Sequence, residues 1–232
     1  MPTDINSLGQ PIGAPLKVHL PRPPVAPVHL TGRSTKVRPL DAKADGPDLF
    51  SAFSKDAAGK GWTYLPLGPF KNQDTFTDWL TTAQAGIDPI FHAILTPEGK
   101  ALGFASYLRI NPQDGLVEVG FIHFSPHLQG TIMATEAMYL MMAHIFDDLG
   151  YRRYEWKCDA LNAPSRAAAA RLGFTYEGTF RQATHYKGRN RDTAWFSVID
   201  SEWPARKAEF QRWLDPANFN ESGQQRSKLR HD

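Results

Sequence analysis

A chain of 232 residues is long enough for one full-sized domain with a buried core and barely long enough for two small ones. Its 26 lysines and arginines against 24 acidic residues leave a formal charge of +2, too balanced for a dedicated nucleic-acid or anionic-membrane binder. A single cysteine, Cys158, excludes an internal disulfide framework and a cysteine zinc cluster; with no apolar leader or spanning-length stretch, the expectation is a cytoplasmic protein without a metal.

Residues 1–30 read as a proline-rich extended arm. Pro11, Pro15, Pro21, Pro23 and Pro24 fix φ and remove amide donors, so neither a helix nor a central strand is expected there. The short apolar stretches at Val25 and Val28 leave open whether the arm lies on the body. Residues 31–217 form the expected domain. Residues 218–232 form a polar tail, and from Asn220 onward the absence of periodicity predicts a loose one.

Within the domain the first strand signal spans 35–40, followed by a helix from Asp41 or Asp45 to about residue 58. A loop carrying Trp62 and Tyr64 leads to a helix over 72–85, where Phe76, Trp79 and Leu80 share one face. Strands are predicted over 89–95 and 101–110, joined by a Pro97-Glu98-Gly99-Lys100 turn, and a third over 116–124. Met133, Ala137, Leu140, Met141, His144 and Ile145 give a helical period over 131–149, with Gly150 as stop. A strand over 154–158, a helix over 163–172 ended by Gly173, strands over 174–186 and 193–199, and a helix over 203–214 complete the chain. This order is α+β: a single domain whose mixed, mostly antiparallel sheet is flanked by helices and splayed at its central strands. A splayed point beside a helix N-terminus is where an extended phosphate-bearing cofactor can enter.

Residues 124–137, Phe-Ser-Pro-His-Leu-Gln-Gly-Thr-Ile-Met-Ala-Thr-Glu-Ala, resemble the strand, loop and helix start of the cofactor motif of the GNAT acetyltransferase superfamily. Gln129 and Ala134 hold its first and last positions, while Ile132 stands where a glycine is usual. Asn162-Ala163-Pro164-Ser165 and Leu172-Gly173-Phe174-Thr175-Tyr176-Glu177-Gly178 resemble the elements that follow in this family, and Gly188-Arg189-Asn190-Arg191-Asp192 continues the pattern of its RimJ/RimL-type branch. The resemblance implies a GNAT fold and acetyl-CoA as cosubstrate. It also implies N-acetylation of a primary amine, either a protein N-terminus or a small molecule, by direct attack in a ternary complex. A catalytically silent acyl-CoA-binding sensor or scaffold of the same fold is the alternative. Neither nucleic acid nor membrane is implied, and the oligomeric state stays open, a homodimer included.

An amine attacking a thioester needs a proton acceptor, donors for the oxyanion and a proton source for the thiolate. Glu118 is the candidate base, or else a salt-bridged strand carboxylate. Ser165, with Asn162, is the candidate donor to the thiolate, though both residues also describe an ordinary helix start. The tyrosine that many GNAT members place four residues before the Gly-Phe pair is Ala169 here. Cofactor contacts implied by the resemblance are Ile122, His123 and Phe124 along the strand, Gln129, Gly130, Thr131, Ile132, Met133, Ala134 and Thr135 around the helix start, and Asn162 and Arg166; Arg171 is a further candidate for the phosphates. Trp62, Tyr64, Tyr107 and Trp156 are the candidate walls of the acceptor pocket, with core packing as the other reading for each.

Overall fold

The computed structural model describes residues 3–231; Met1 and Pro2 of the arm and Asp232 of the tail lie outside the described residues. The arm opens with a two-stranded hairpin, β1 (Thr3–Ile5) with β2 (Pro11–Gly13), where the sequence predicts only extended chain. Its turn explains the difference: Asn6 Oδ1 accepts the amides of Leu8 and Gln10, and Gly9 takes φ 77°. The rest of the arm lies on the body. Val25 is buried, Arg22 Nε donates to the Leu149 carbonyl, and Tyr151 Oη donates to the Pro23 carbonyl.

Strands β3 (Leu30–Thr31), β4 (Lys36–Pro39), β5 (Ile90–Leu95), β6 (Ala101–Asn111), β7 (Leu116–Phe124), β8 (Arg153–Asp159), β9 (Thr175–Tyr186) and β10 (Arg189–Ile199) form one sheet in the spatial order β3-β4-β5-β6-β7-β8-β10-β9. Every neighbouring pair is antiparallel except β7 and β8. Helices α1 (Ala42–Phe53) and α2 (Gln73–Gln84) cover one face, packing Leu49, Phe53, Phe76 and Leu80 on Ala93 and Phe104. Both starts are capped as their sequences dictate: Asp41 accepts the amides of Lys43 and Ala44, and Asn72 that of Thr75.

On the other face, α3 (Ile132–Ala143), α4 (Ala163–Arg171) and α5 (Trp203–Leu214) enclose a second core with Val117, Val119, Tyr154 and Val198. After Ala143 the α3 path widens into a π-helical turn over His144–Asp148, and Gly150 at φ 65° ends it. Glu136 of α3 accepts the amides of Arg33 and Ser34 at 2.9 and 2.6 Å, fixing the helix against the β3–β4 turn.

The C-terminal segment is not loose as its composition predicts. Asn218 bonds the carbonyls of Trp213 and Ser227 and accepts the Ser227 amide, Trp213 Nε1 donates to Gln225, and Leu229 is buried. Periodicity misses it because side-chain bonds and one inserted leucine, rather than a helix or strand ladder, hold it in place.

Candidate active site

The ladder between β7 and β8 runs only from Leu116↔Arg153 to Val119↔Trp156. Beyond that pair the strands diverge, and a bulge in β7 marks the point: Phe121 adopts φ 47°, and the register against β6 jumps between Ser106↔Gly120 and Phe104↔His123. Ser106 Oγ holds the turn by donating to the Gly120 carbonyl at 3.0 Å.

Two hollows meet at this gap. The larger, about 1340 Å³, runs past the start of α3; the smaller, about 240 Å³, lies between β7, β8 and the β9–β10 end of the sheet. Gly61, Tyr64, Ile122, Trp156, Asn162 and Ser165 line both.

Ile122, His123, Phe124, Gln129, Gly130, Thr131, Ile132, Met133, Ala134, Thr135 and Asn162, expected as cofactor contacts, all line the larger groove. Leu128 and Gln129 donate their amides to the Ser125 carbonyl, Gln129 Nε2 donates to the Phe124 carbonyl, and Gly130 turns the chain at φ 71°. Thr131 caps α3, its Oγ1 accepting the Ala134 amide at 3.2 Å. The amides of Gly130, Ile132 and Met133 find no protein acceptor among the described residues, as the first turn of a helix requires. Ile132, the departure from the motif, packs its side chain on the core, so its bulk does not decide the amide's direction. A helix start with unclaimed amides, its dipole and a roomy groove fit a diphosphate.

Arg166 does not line the groove. Its guanidinium donates to the Ala160 carbonyl and lies over the Tyr176 ring, whereas Arg171 lines the groove and donates to Thr135 Oγ1 at 3.0 Å. Five positions apart on one helix, the two arginines point about 140° apart, so one faces the groove and the other cannot.

Two expected pocket walls also belong elsewhere. Tyr107 is wholly buried, donating to the Met141 carbonyl and tying β6 to α3. Trp62 is buried in the α1–α2 core, its ring 3.8 Å from that of His123. Tyr64 and Trp156 do line the hollows. His123 itself is buried between Trp62 and Phe53, and burial pushes its pKa down to about 4, so the imidazole is neutral at pH 7.

The smaller hollow is charged. Glu118, buried on β7, takes Arg109 Nη1 on both oxygens at 2.8 Å and Lys157 Nζ at 3.0 Å. Burial pushes its pKa up, against the downward pull of both cations. Lys157 also pairs with Glu155 at 2.7 Å, and Arg153 links Glu155 to Glu177. Asp159 accepts from Tyr186 Oη at 2.7 Å, and Tyr186 is pushed up to about 12, by burial first and then by that bond. At the junction Trp156 Nε1 donates to Ser165 Oγ at 3.0 Å, and Asn162 Oδ1 accepts the Ser165 amide. Asn162 is thus the cap of α4, while the Ser165 hydroxyl sits between the Trp156 donor and the Cys158 thiol. Burial raises the Cys158 thiol beside it.

The family model for the acetyltransferase (GNAT) domain matches residues 35–175. The chain belongs to the GNAT family. A crystal structure of a GCN5-related N-acetyltransferase from Brucella melitensis is 45% identical, with TM-score 0.89 over 92% of this chain and 97% of that one. The ribosomal-protein-serine acetyltransferase of Escherichia coli is 29% identical over 106 residues, 45% of this chain and 59% of its own length. An uncharacterized N-acetyltransferase of Bacillus licheniformis is 28% identical over 113 residues, 49% of this chain; here too the chain spans under two thirds, 63%, of the relative.

In this GNAT protein the sequence reading missed Arg109, Lys157 and Arg191 in the smaller hollow, and Phe219, Gly223 and Gln225 in the larger groove. A signal existed for Lys157: Glu155 and Lys157 are two apart on a strand whose neighbours are apolar, which places opposite charges on one face. No comparable signal marks Arg191 or the tail, because only the folded chain brings them to the site.

Proposed function

We propose that this GNAT protein transfers an acetyl group from acetyl-CoA to a primary amine, and that the reaction occurs where the two hollows meet. The observation that carries this is the set of six residues shared by a groove suited to a diphosphate and a small charged pocket. Acetyl-CoA supplies the activated acyl group. Amides at the start of α3 and Arg171 hold its diphosphate, and the free edge of β7 beyond the bulge offers backbone groups to the pantetheine arm and the oxyanion. As the new C–N bond forms and the C–S bond breaks, Glu118 receives the proton leaving nitrogen, directly or through a water, and the Ser165 hydroxyl donates to the departing sulfur. Arg109 and Lys157 keep Glu118 ionised against its desolvation. A peptide N-terminus and a small amine are both compatible with this chemistry, and the Escherichia coli relative is named as acting on a serine of a ribosomal protein. The single buried cysteine accords with the cytoplasm as its compartment.

The test is direct. Acetyl-CoA at a hundred times its dissociation constant should stabilise the protein by about 2.7 kcal/mol in thermal unfolding, and thiol should appear when amines are added. No stabilisation at millimolar acetyl-CoA ends the proposal.

A further inference from the structure

Resting on the smaller hollow being the acceptor site, we propose that the amine acceptor carries a carboxylate and that Arg191 of β10 receives it. Three cations, Arg109, Lys157 and Arg191, line this hollow against two carboxylates, Glu118 and Asp159. Both carboxylates are committed. Glu118 is held by Arg109 and Lys157, and Asp159 accepts the Leu161 amide at 2.8 Å and Tyr186 Oη at 2.7 Å.

Arg191 is different from the other two cations. Its side chain makes no hydrogen bond or ion pair among the described residues, and its Nε is buried without an acceptor. A guanidinium donor removed from water and left unbonded costs free energy that a ligand can recover. The planar fork is matched by a carboxylate accepting two parallel N–H bonds, and less well by a single carbonyl. A polyamine fits less well, because both lining carboxylates are already engaged and its second ammonium would face Arg191. A volume of about 240 Å³ suits a group of amino-acid size. An amine with a carboxylate a few bonds away can therefore put its nitrogen near Ser165 and its anion on Arg191.

The experiment pairs acids with their amides. The twenty amino acids and a set of dipeptides, each with a free carboxylate and as the carboxamide, and spermidine are titrated calorimetrically into the full-length protein saturated with CoA. Thiol release from acetyl-CoA is followed with the same panel. At least one acid should bind tenfold or more tightly than its amide. Arg191→Gln should remove that preference, Arg191→Lys should restore part of it, and the affinity for acetyl-CoA should stay within twofold. Amides or spermidine binding as well as every acid, or a preference that survives Arg191→Gln, overturns the proposal. Thiol release with amides but not acids would overturn it and leave the transferase standing; acid preference at Arg191 without thiol release from any acceptor would support the anion site and sink the transferase.

Discussion

The two hollows are built in opposite ways. The longest run in the lining of the larger groove is one stretch, residues 122–135, which offers unclaimed backbone amides while Ile122, Phe124, Leu128, Ile132 and Met133 pack on the core. The smaller hollow is assembled from short pieces of β6, β7, β8, β9, β10, α4 and the loop around Tyr64, and what it offers is the charge of Arg109, Glu118, Lys157, Asp159 and Arg191. A site made of contiguous backbone tolerates substitution, as Ile132 does. A site made of converging side chains is set by each one, so acceptor identity can change while the donor stays the same.

The strongest way to break this contrast is at Glu118. Replacement by Gln should lower acetyl transfer by about a hundredfold or more, while acetyl-CoA binding changes little, since Glu118 lines only the smaller hollow. Thermal unfolding of the variant reads the structural share: about 3 kcal/mol for breaking a buried ion pair, moderated because Lys157 keeps Glu155. In the parent, transfer should fall as pH drops through a Glu118 pKa above the ordinary carboxylate range. Equal losses in binding and turnover would contradict the separation.

Acid should strike the donor side and the arm. His123 and His92 are both pushed from 6.5 to about 4 by burial, and His92 accepts the Val28 amide on Nε2 while Nδ1 faces the Ile90 carbonyl. A depressed folded-state pKa means the stability is present above about 6.5 and is lost as pH falls toward about 4, at most on the order of 3 kcal/mol for each imidazole. Urea midpoints across this range should drop accordingly, and His92→Gln should flatten the slope; an unchanged slope would count against it.

Phe219 lines the groove; on the expectation that its ring meets the nucleotide, Phe219→Ala should raise the KM for acetyl-CoA about tenfold and leave acetyl-pantetheine unaffected. The same loss for both thioesters would move the nucleotide elsewhere. The smallest expected effect is Thr131→Ala, about 1 kcal/mol in stability from the lost cap of α3, with acetyl-CoA affinity preserved because the free amides remain.

Much of the fold was legible because it rests on local signals. The hydrophobic alternation of 116–124, the Asn72 cap and the Gly173 stop give β7, α2 and the end of α4 within a residue or two. The groove was legible for the same reason. The acceptor pocket was not: Trp62 and Tyr107 are aromatic residues whose burial is decided by α1 and α3 packing over them, and nothing in the chain around Arg191 records that it ends without a partner. That Arg171 lines the groove and Arg166 does not follows from the rotation of α4, which a run of alanines leaves undetermined in the sequence.

The bulge at Phe121 has a consequence for the phase of its strand. Before it, odd-numbered Val117 and Val119 face the α3 side; after it, even-numbered Ile122 and Phe124 do, while His123 joins the layer of Phe53 and Trp62. One inserted residue thus lets a single strand present Glu118 to the smaller hollow and, five positions later, seat His123 beneath the larger one on the same face. Deleting residue 121 would restore strict alternation and exchange the faces of every side chain from 122 to 124, sending the imidazole into the α3 core and two apolar side chains out of it.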